Sequence, residues 1–176
     1  MLLLIVVGFL GLVALAALWL RGRRSDAGVV RSSVTIHRPP RELWSWLTEA
    51  ERLLAWVGWL EEIRPVEPGD ADGLGARDVF VMNDPQMKEL VELYAVTRTL
   101  RKYDRIDVDL SARMGFEGSV RYALTDLGDG ATRLDCEGRF RFLRWFARLM
   151  EPRVTPQAQR QLELDLERLK ELAEGR

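Results

Sequence analysis

The sequence predicts an α+β fold in which a curved antiparallel sheet of about seven strands holds a long C-terminal helix against its concave face. Three observations support this prediction. Apolar and polar residues alternate with the period of two that is typical of strands through most of residues 29–141. Within that region the spacing is helical at residues 40–56, which predicts two short helices after the first strand. From Phe142 to Glu174 the spacing is helical throughout.

The first strand covers residues 30–36, and the sequence HRPP at 37–40 ends it. A helix begins near Pro40, because proline is favoured in a first helical turn. Apolar residues form one face of this helix, and a break near Thr48 separates it from a second helix that contains Trp56.

Six further strands are expected between Trp59 and Phe140. The first, at residues 59–66, is predicted to be an edge strand because Pro65 has no N–H to donate to a central ladder. Turn-rich segments separate the others, among them the hairpin signal DLGDG at 126–130. The remaining strands are expected at residues 79–82, 89–100, 105–112, 119–125 and 134–140. For the 89–100 segment a helix start at KELVEL, residues 88–93, is the alternative.

The C-terminal segment is predicted to form a helix that is kinked or broken near its start. Pro152 and Pro156 are expected to kink or break the helix between them, because proline removes an N–H and clashes with the preceding turn. Gly175 is the expected stop. The apolar residues form two stripes: Leu143, Phe146, Leu149 and Met150, then Leu162, Leu166, Leu169 and either Leu172 or Ala173.

Residues 2–20 are nineteen consecutive residues without a charged side chain. As a helix they would be roughly 28 Å long, close to the roughly 30 Å hydrocarbon core of a bilayer. Arginines follow at once, and positive charge favours the cytoplasmic side. The segment is therefore predicted to cross the cell membrane once, with the N-terminus outside and the domain in the cytoplasm. The residues assigned to the membrane and its surface are Leu2, Trp19, Leu20, Arg21, Arg23 and Arg24.

A cleaved signal peptide is the alternative for this segment. The residues at 14–16, ALA, resemble a cleavage site, but no basic residue precedes the apolar run as a signal peptide requires. The expected organisation is a transmembrane helix at 1–20, a basic juxtamembrane linker at 21–28 and one domain at 29–176.

Composition excludes several classes of function. The net charge is −1, which gives no electrostatic basis for binding nucleic acid. Cys136 is the only cysteine and His37 the only histidine, so neither an intrachain disulfide nor a zinc site of several Cys and His ligands is expected. The sequence has no GxxxxGK[ST] or GxGxxG phosphate-binding loop, and no cofactor is predicted. The oligomeric state is left open.

The order of elements and several short motifs resemble the START-like helix-grip superfamily, also called SRPBCC, and its polyketide-cyclase-like members in particular. The motifs are the helix start Pro40-Arg41-Glu42-Leu43-Trp44 with Trp56 a dozen residues on, Gly73-Leu74-Gly75 before a strand, and Pro152 followed by the DLERLK segment at 165–170. The resemblance covers residues 29–174 and is specific for the fold more than for an activity. It implies a cavity between the sheet and the last helix.

The resemblance implies that this cavity binds a small hydrophobic or lipid ligand. Its candidate lining is Tyr94, Val108, Leu110, Tyr122, Leu124, Cys136, Phe146, Leu149 and Met150, and the candidates for its rim are Trp46, Trp59 and Trp145. Two alternatives stay open. One is a cyclase-type or hydrolase-type enzyme that uses Tyr94, Tyr122 or Glu92 as an acid–base group. The other is a tethered interaction module with a filled core.

Overall fold

The computed structural model describes residues 28–71, 73–83, 90–149 and 151–175. The first strand, β1, is followed by two short helices, then by six strands, a short helix and a long helix. The strands are β1 (Gly28–Ile36), β2 (Leu60–Glu67), β3 (Arg77–Met82), β4 (Val91–Arg101), β5 (Arg105–Ala112), β6 (Phe116–Gly128) and β7 (Ala131–Phe142). The helices are α1 (Pro40–Thr48), α2 (Ala50–Trp56), α3 (Trp145–Arg148) and α4 (Glu151–Glu174).

All seven strands form one antiparallel sheet in the order β1-β7-β6-β5-β4-β3-β2. This confirms the predicted α+β class, the strand number and the two helices between β1 and β2. The strand that contains Pro65, β2, lies at an edge as predicted.

The strand register separates a concave face, which meets α4, from an outer face. Val34 lies opposite Leu134, which lies opposite Leu124, and all three side chains are buried on the concave face. Leu166 and Leu169 of α4 pack into the same core cluster. The alternation in the sequence thus places one set of side chains under the helix and leaves the other set in solvent.

Helix α4 lies along β1 at one edge of the sheet, and its backbone does not approach the central strands as closely. The Gln159 side chain fixes this position. Its amide donates to the Arg31 carbonyl at 2.8 Å and accepts from the Arg31 N–H at 3.0 Å. The concave face of β3 to β6 is therefore only partly covered.

Helices α1 and α2 close the concave face near the C-terminal half of α4. Leu43, Leu47 and Trp56 point into the main core cluster. The Trp56 indole N–H donates to the Trp46 carbonyl at 2.9 Å, which ties the two helices together.

Helix α4 corrects one prediction. No break separates Pro152 from Pro156, and the helix runs continuously from Glu151 to Glu174. Pro152 falls in the first turn, where an N–H would have no partner within the helix. Pro156 lies inside the helix and removes one backbone hydrogen bond there. The Thr155 hydroxyl donates to the Glu151 carbonyl at 2.8 Å in the same turn.

The two ends of the sheet differ in what they carry. At one end, which we call the Gly28 end, Gly28 lies opposite Phe140 and Phe116 lies opposite Phe142. At the other end Ile36 lies opposite Thr132. Helix α4 starts at the Gly28 end, where the buried Glu151 carboxylate accepts from the Phe142 N–H at 3.1 Å.

Ion pairs cover the outer face of the sheet. Glu137 accepts from Arg31 at 2.6 Å and from Arg139, and these two arginines lower the pKa of Glu137 to about 2. Asp107 is held in the same way by Arg105 and Arg121, each at 2.8 Å. The outer face therefore carries many charges, most of them neutralised locally.

The predicted transmembrane segment, residues 1–20, and most of the predicted linker lie outside the described residues. Among the helices of the described part, none is long and apolar enough to cross a bilayer.

Candidate functional site

The concave face brings together five of the residues predicted to line a cavity. Strands β5, β6 and β7 place them side by side, since Leu110 lies opposite Gly118, Leu124 opposite Leu134, and Tyr122 opposite both Ile106 and Cys136. Three are buried and two are half-buried. The five are Val108, Leu110, Tyr122, Leu124 and Cys136.

Half-buried apolar side chains surround a second, smaller core cluster on this face. Its buried members are Leu93, Ala95 and Leu110, from β4 and β5. The side chains packed around them retain solvent-accessible surface because α4 lies over β1 instead. We call these side chains the concave apolar surface: Phe80, Met82, Val91, Val108, Phe116 and Val120.

Aromatic rings continue this surface to the Gly28 end. Phe116 stacks on Phe140 with ring centroids 6.4 Å apart, and each ring meets Phe142 edge-on. All three residues lie on the concave face and are half-buried. The surface therefore reaches the end of the sheet where β7 leaves for α3.

Three ionisable groups lie together at the deep side of the concave face. Burial, with Cys136 and Asp165 nearby, raises the pKa of Tyr122 well above its usual range. Burial, with Asp165 and Glu137 nearby, raises the pKa of Cys136 to about 12. The phenol and the thiol are therefore neutral at physiological pH, and Cys136 is an unreactive thiol.

Asp165 is a site residue that the sequence prediction missed. It lies on α4 with 4% of its surface exposed. Its Oδ1 accepts from the Gly58 N–H at 3.0 Å and from the Gln161 amide at 2.7 Å. Burial raises its pKa, although these two hydrogen bonds and Arg168 act in the opposite direction. A signal was present, since Asp165 follows Leu162 by three and precedes Leu169 by four, which places it on the apolar stripe.

Asp78 is a second acidic residue on the concave face. It lies opposite Ala95 of β4, and burial raises its pKa. Its carboxylate has no ion pair or hydrogen bond within the described ranges. The Tyr122 hydroxyl likewise makes no hydrogen bond to another described residue. The concave face thus combines apolar surface with two polar groups that no described residue satisfies.

Tyr94 is a correction to the predicted lining. It lies opposite Ser111 on the outer face, where the Arg113 guanidinium sits 5.8 Å from its ring centre. Glu92 is also on the outer face, paired with Arg64 at 2.8 Å. The prediction failed here because both faces of β4 are partly apolar. Of the three acid–base groups proposed for an enzyme, only Tyr122 faces the concave side.

The remaining predicted residues are dispersed. On α3, Trp145 and Phe146 are 43% and 52% exposed, and Leu149 is half-buried just after that helix. Trp46 is half-buried on α1, with the Arg52 guanidinium 5.1 Å from its ring centre. Trp59 packs against both core clusters and so borders the concave apolar surface. Met150 lies outside the described residues.

The outer face has a shallow depression of about 540 Å³ across β4 to β7. Its arginines are paired, Arg98 with Asp109 at 2.8 Å and Arg141 with Glu117 at 2.6 Å. A polar, locally neutralised surface does not suit an apolar ligand. The side chains that line it are mainly Tyr94, Val96, Arg98, Asp109, Ser111, Glu117, Ser119, Arg139 and Arg141.

These features are those of a helix-grip domain with an apolar concave face. The family described as polyketide cyclase / dehydrase and lipid transport matches residues 27–174, and the chain belongs to this family. The predicted START-like resemblance is thereby confirmed for the fold and the family. No curated protein matches the chain.

Solved structures with the same fold are distant in sequence. DR_A0006 from Deinococcus radiodurans is 20% identical with a TM-score of 0.60, covering 83% of this chain and 96% of its own. TTHA0849 from Thermus thermophilus is 18% identical with a TM-score of 0.67, covering 82% and 96%. Truncated norcoclaurine synthase from Thalictrum flavum is 13% identical with a TM-score of 0.60, covering 84% and 93%. Identities this low indicate a shared fold and nothing finer.

Proposed function

We propose that the protein binds a small hydrophobic or lipid molecule on the concave apolar surface, and that residues 2–20 hold the domain at a membrane. The observation that carries the first part is the set of half-buried apolar side chains that α4 leaves accessible on β3 to β6. Ligand sites are typically apolar with a few polar groups that set orientation. The family description, which includes lipid transport, agrees with this chemistry.

Two polar groups are suited to orient the bound molecule. The Tyr122 phenol is neutral, has no described protein partner and can donate to a ligand oxygen. The Asp78 carboxyl lies toward β2 on the same face and can meet a second polar group. A molecule with an apolar body and one or two oxygen groups therefore matches this face better than a pure hydrocarbon does.

The sequence of residues 2–20 supports the second part of the proposal. The run has no charged side chain and is close to a bilayer core in length, and arginines at 21, 23 and 24 follow it. The linker at 21–28 spans at most roughly 28 Å, so a domain tethered by it stays close to the bilayer.

A variant in which a larger side chain fills the concave apolar surface tests the proposed ligand site. Val120→Trp adds an indole to the concave apolar surface, and tryptophan is well tolerated in strands. The full chain, in nanodiscs that contain a diazirine-bearing fatty acid, is irradiated, and the crosslinked peptides are quantified by mass spectrometry. We expect crosslinking to β5 and β6 in the wild type, and a loss of at least about ten-fold in the variant, which corresponds to about 1.4 kcal/mol.

Val96→Trp is the matched control, because Val96 is also a half-buried strand valine but lines the outer depression. It should leave the crosslinking unchanged. Crosslinks to residues 2–20 measure the probe within the bilayer and should be equal in all variants. If Val96→Trp removes the crosslinks and Val120→Trp does not, the ligand binds the outer face and the proposed site is wrong.

An acid–base enzyme is the second candidate, and the neighbourhood of Tyr122 and Asp165 favours it. A bound lipid that changes mass during incubation with the wild type, but not with Tyr122→Phe, would support it. An unchanged mass in both cases supports a carrier or sensor.

A further inference from the structure

The Gly28 end of the protein exposes large apolar side chains close together. Met114, Leu143, Trp145 and Phe146 are each between 43% and 52% exposed. Large apolar residues are normally exposed singly, and an apolar group of this kind marks an interaction surface. We call these four residues the tip patch.

Backbone contacts hold the tip patch together. The β5–β6 turn at residues 113–115 presents Met114, and Gly115 has the positive φ of +86° that this turn uses. The Leu143 N–H donates to the Gly115 carbonyl at 2.7 Å, which places the start of the α3 segment against the turn. The Trp145 and Phe146 rings meet edge-on, with centroids 6.1 Å apart. The patch therefore comes from two segments and has a defined shape.

Two arginines beside the tip patch differ from the carboxylate-paired arginines of the outer face. Arg113 follows β5, with its guanidinium 5.8 Å from the centre of the Tyr94 ring, and the Arg144 side chain lies beside the β5–β6 turn at Gly115. Neither guanidinium has a carboxylate partner among the residues that the structure describes. On the outer face, by contrast, arginines such as Arg139 and Arg141 are paired. The end of the molecule thus combines apolar side chains with positive charge that the described residues do not neutralise.

The chain enters the domain at this same end. Gly28 lies opposite Phe140, two residues before the end of β7, which is about 7 Å along the strand. Residues 21–27, which precede Gly28, include three more arginines. A membrane that held residues 2–20 would therefore face the tip patch from a short distance.

We propose that the tip patch docks on the surface of an anionic bilayer, with the apolar side chains in the interfacial layer and Arg113 and Arg144 against lipid phosphates. This proposal rests on the tether in the proposed function. Apolar insertion combined with electrostatic attraction is how interfacial segments bind anionic membranes. Docking in this way directs the ring cluster of Phe116, Phe140 and Phe142 toward the lipid. A ligand can then pass between the bilayer and the concave apolar surface without crossing water.

Site-specific fluorescence in the full chain tests the docking. Met114→Cys is labelled with the polarity-sensitive dye NBD, since the buried Cys136 thiol does not compete for the reagent. The matched control is Leu127→Cys, at the opposite end of β6 and next to a hairpin turn, with 50% exposure against 45% for Met114. Both proteins are reconstituted in vesicles of phosphatidylcholine and phosphatidylglycerol that carry a nitroxide lipid.

We expect a blue shift and strong nitroxide quenching of the dye at 114, and neither effect at 127. Arg113→Ala and Arg144→Ala should each lower the ratio of docked to undocked protein about five-fold. Replacing Trp145 and Phe146 by serine should lower it at least about ten-fold. Vesicles of phosphatidylcholine alone should give weaker quenching than the anionic ones.

Equal quenching at 114 and 127, or none at either position, overturns the proposal. A blue shift at 114 in vesicles without nitroxide quenching also overturns it, because residues 1–20 or a second copy of the chain, and not lipid, then cover the patch. Vesicle flotation reports the tether separately, and fatty-acid crosslinking at β5 and β6 reports the ligand site. If the wild-type chain floats with the vesicles and crosslinks the fatty acid but shows no quenching at 114, the docking proposal is wrong and the proposed function stands.

Discussion

Replacing Trp56 by alanine is expected to lower the free energy of unfolding by about 3–5 kcal/mol, the usual cost of removing a large buried aromatic side chain. Trp56 is 1% exposed and lies where α2, α4 and the sheet meet. Its ring meets the Tyr122 ring edge-on at 6.1 Å. The variant loses this packing and also leaves the Trp46 carbonyl without its donor. A loss of this size is a large part of the stability of a typical domain, about 5–15 kcal/mol.

Urea unfolding followed by circular dichroism measures this effect, with the protein in the same detergent throughout. Trp145→Ala is the control, because it makes the same chemical change at a side chain that is 43% exposed. It should change the free energy of unfolding by no more than about 0.5 kcal/mol. Equal losses in the two variants would show that Trp56 does not lie in the core. Because Trp56 supports Tyr122, Trp56→Ala should also weaken fatty-acid crosslinking.

Replacing Asp165 by asparagine is expected to stabilise the protein at neutral pH. Burial raises the pKa of Asp165 in the folded state above the ordinary value of 3.8. A raised pKa means that folding favours the protonated acid, so this contribution is fully present below pH 3.8 and is lost as the pH rises through the raised pKa. Each unit by which the pKa is raised corresponds to about 1.4 kcal/mol at neutral pH. Asparagine cannot ionise and avoids this cost.

The asparagine side chain can keep the local hydrogen bonds. Its oxygen can accept from the Gly58 N–H, and the Gln161 amide can accept or donate after rotation. Urea titrations from acidic to neutral pH should show the two proteins converging at low pH, with the asparagine variant gaining as the pH rises. Asp109→Asn serves as the control, since Asp109 is exposed and paired with Arg98. If instead the wild type becomes the more stable protein as the pH rises, then Arg168 and the two hydrogen bonds lower the pKa of Asp165 by more than burial raises it.

Most of the fold follows from local pattern, and the candidate site follows only in part. Alternation predicted the strands, and Pro65 predicted an edge, because both signals depend on neighbours in the chain. The face occupied by Tyr94 depends on strand register, and β4 carries apolar residues on both faces together with a register shift between Thr97 and Thr99. No local signal separates the two assignments in such a strand.

The positions of the two acidic residues of the site also could not be predicted from local sequence. Asp78 and Asp165 are charged residues in amphipathic segments, where an exposed position is the usual expectation. Their burial depends on what packs over them, which is set by contacts between distant parts of the chain, such as Gly58 with Asp165. Pro156 was predicted to disrupt α4 for a similar reason, since the packing that maintains a helix through a proline is not a local property.

The contact between Gln159 and Arg31 bears on aggregation of the protein. An edge strand with free N–H and C=O groups is a template for a strand from another molecule, and this is a common start of aggregation. In β1, the Gln159 amide occupies both backbone groups of Arg31 and α4 lies along the strand. At the opposite edge, Pro65 removes one donor from β2, and the charged residues Glu62 and Arg64 precede it in the strand. Both edges of the sheet thus carry features that oppose pairing with a strand of another molecule.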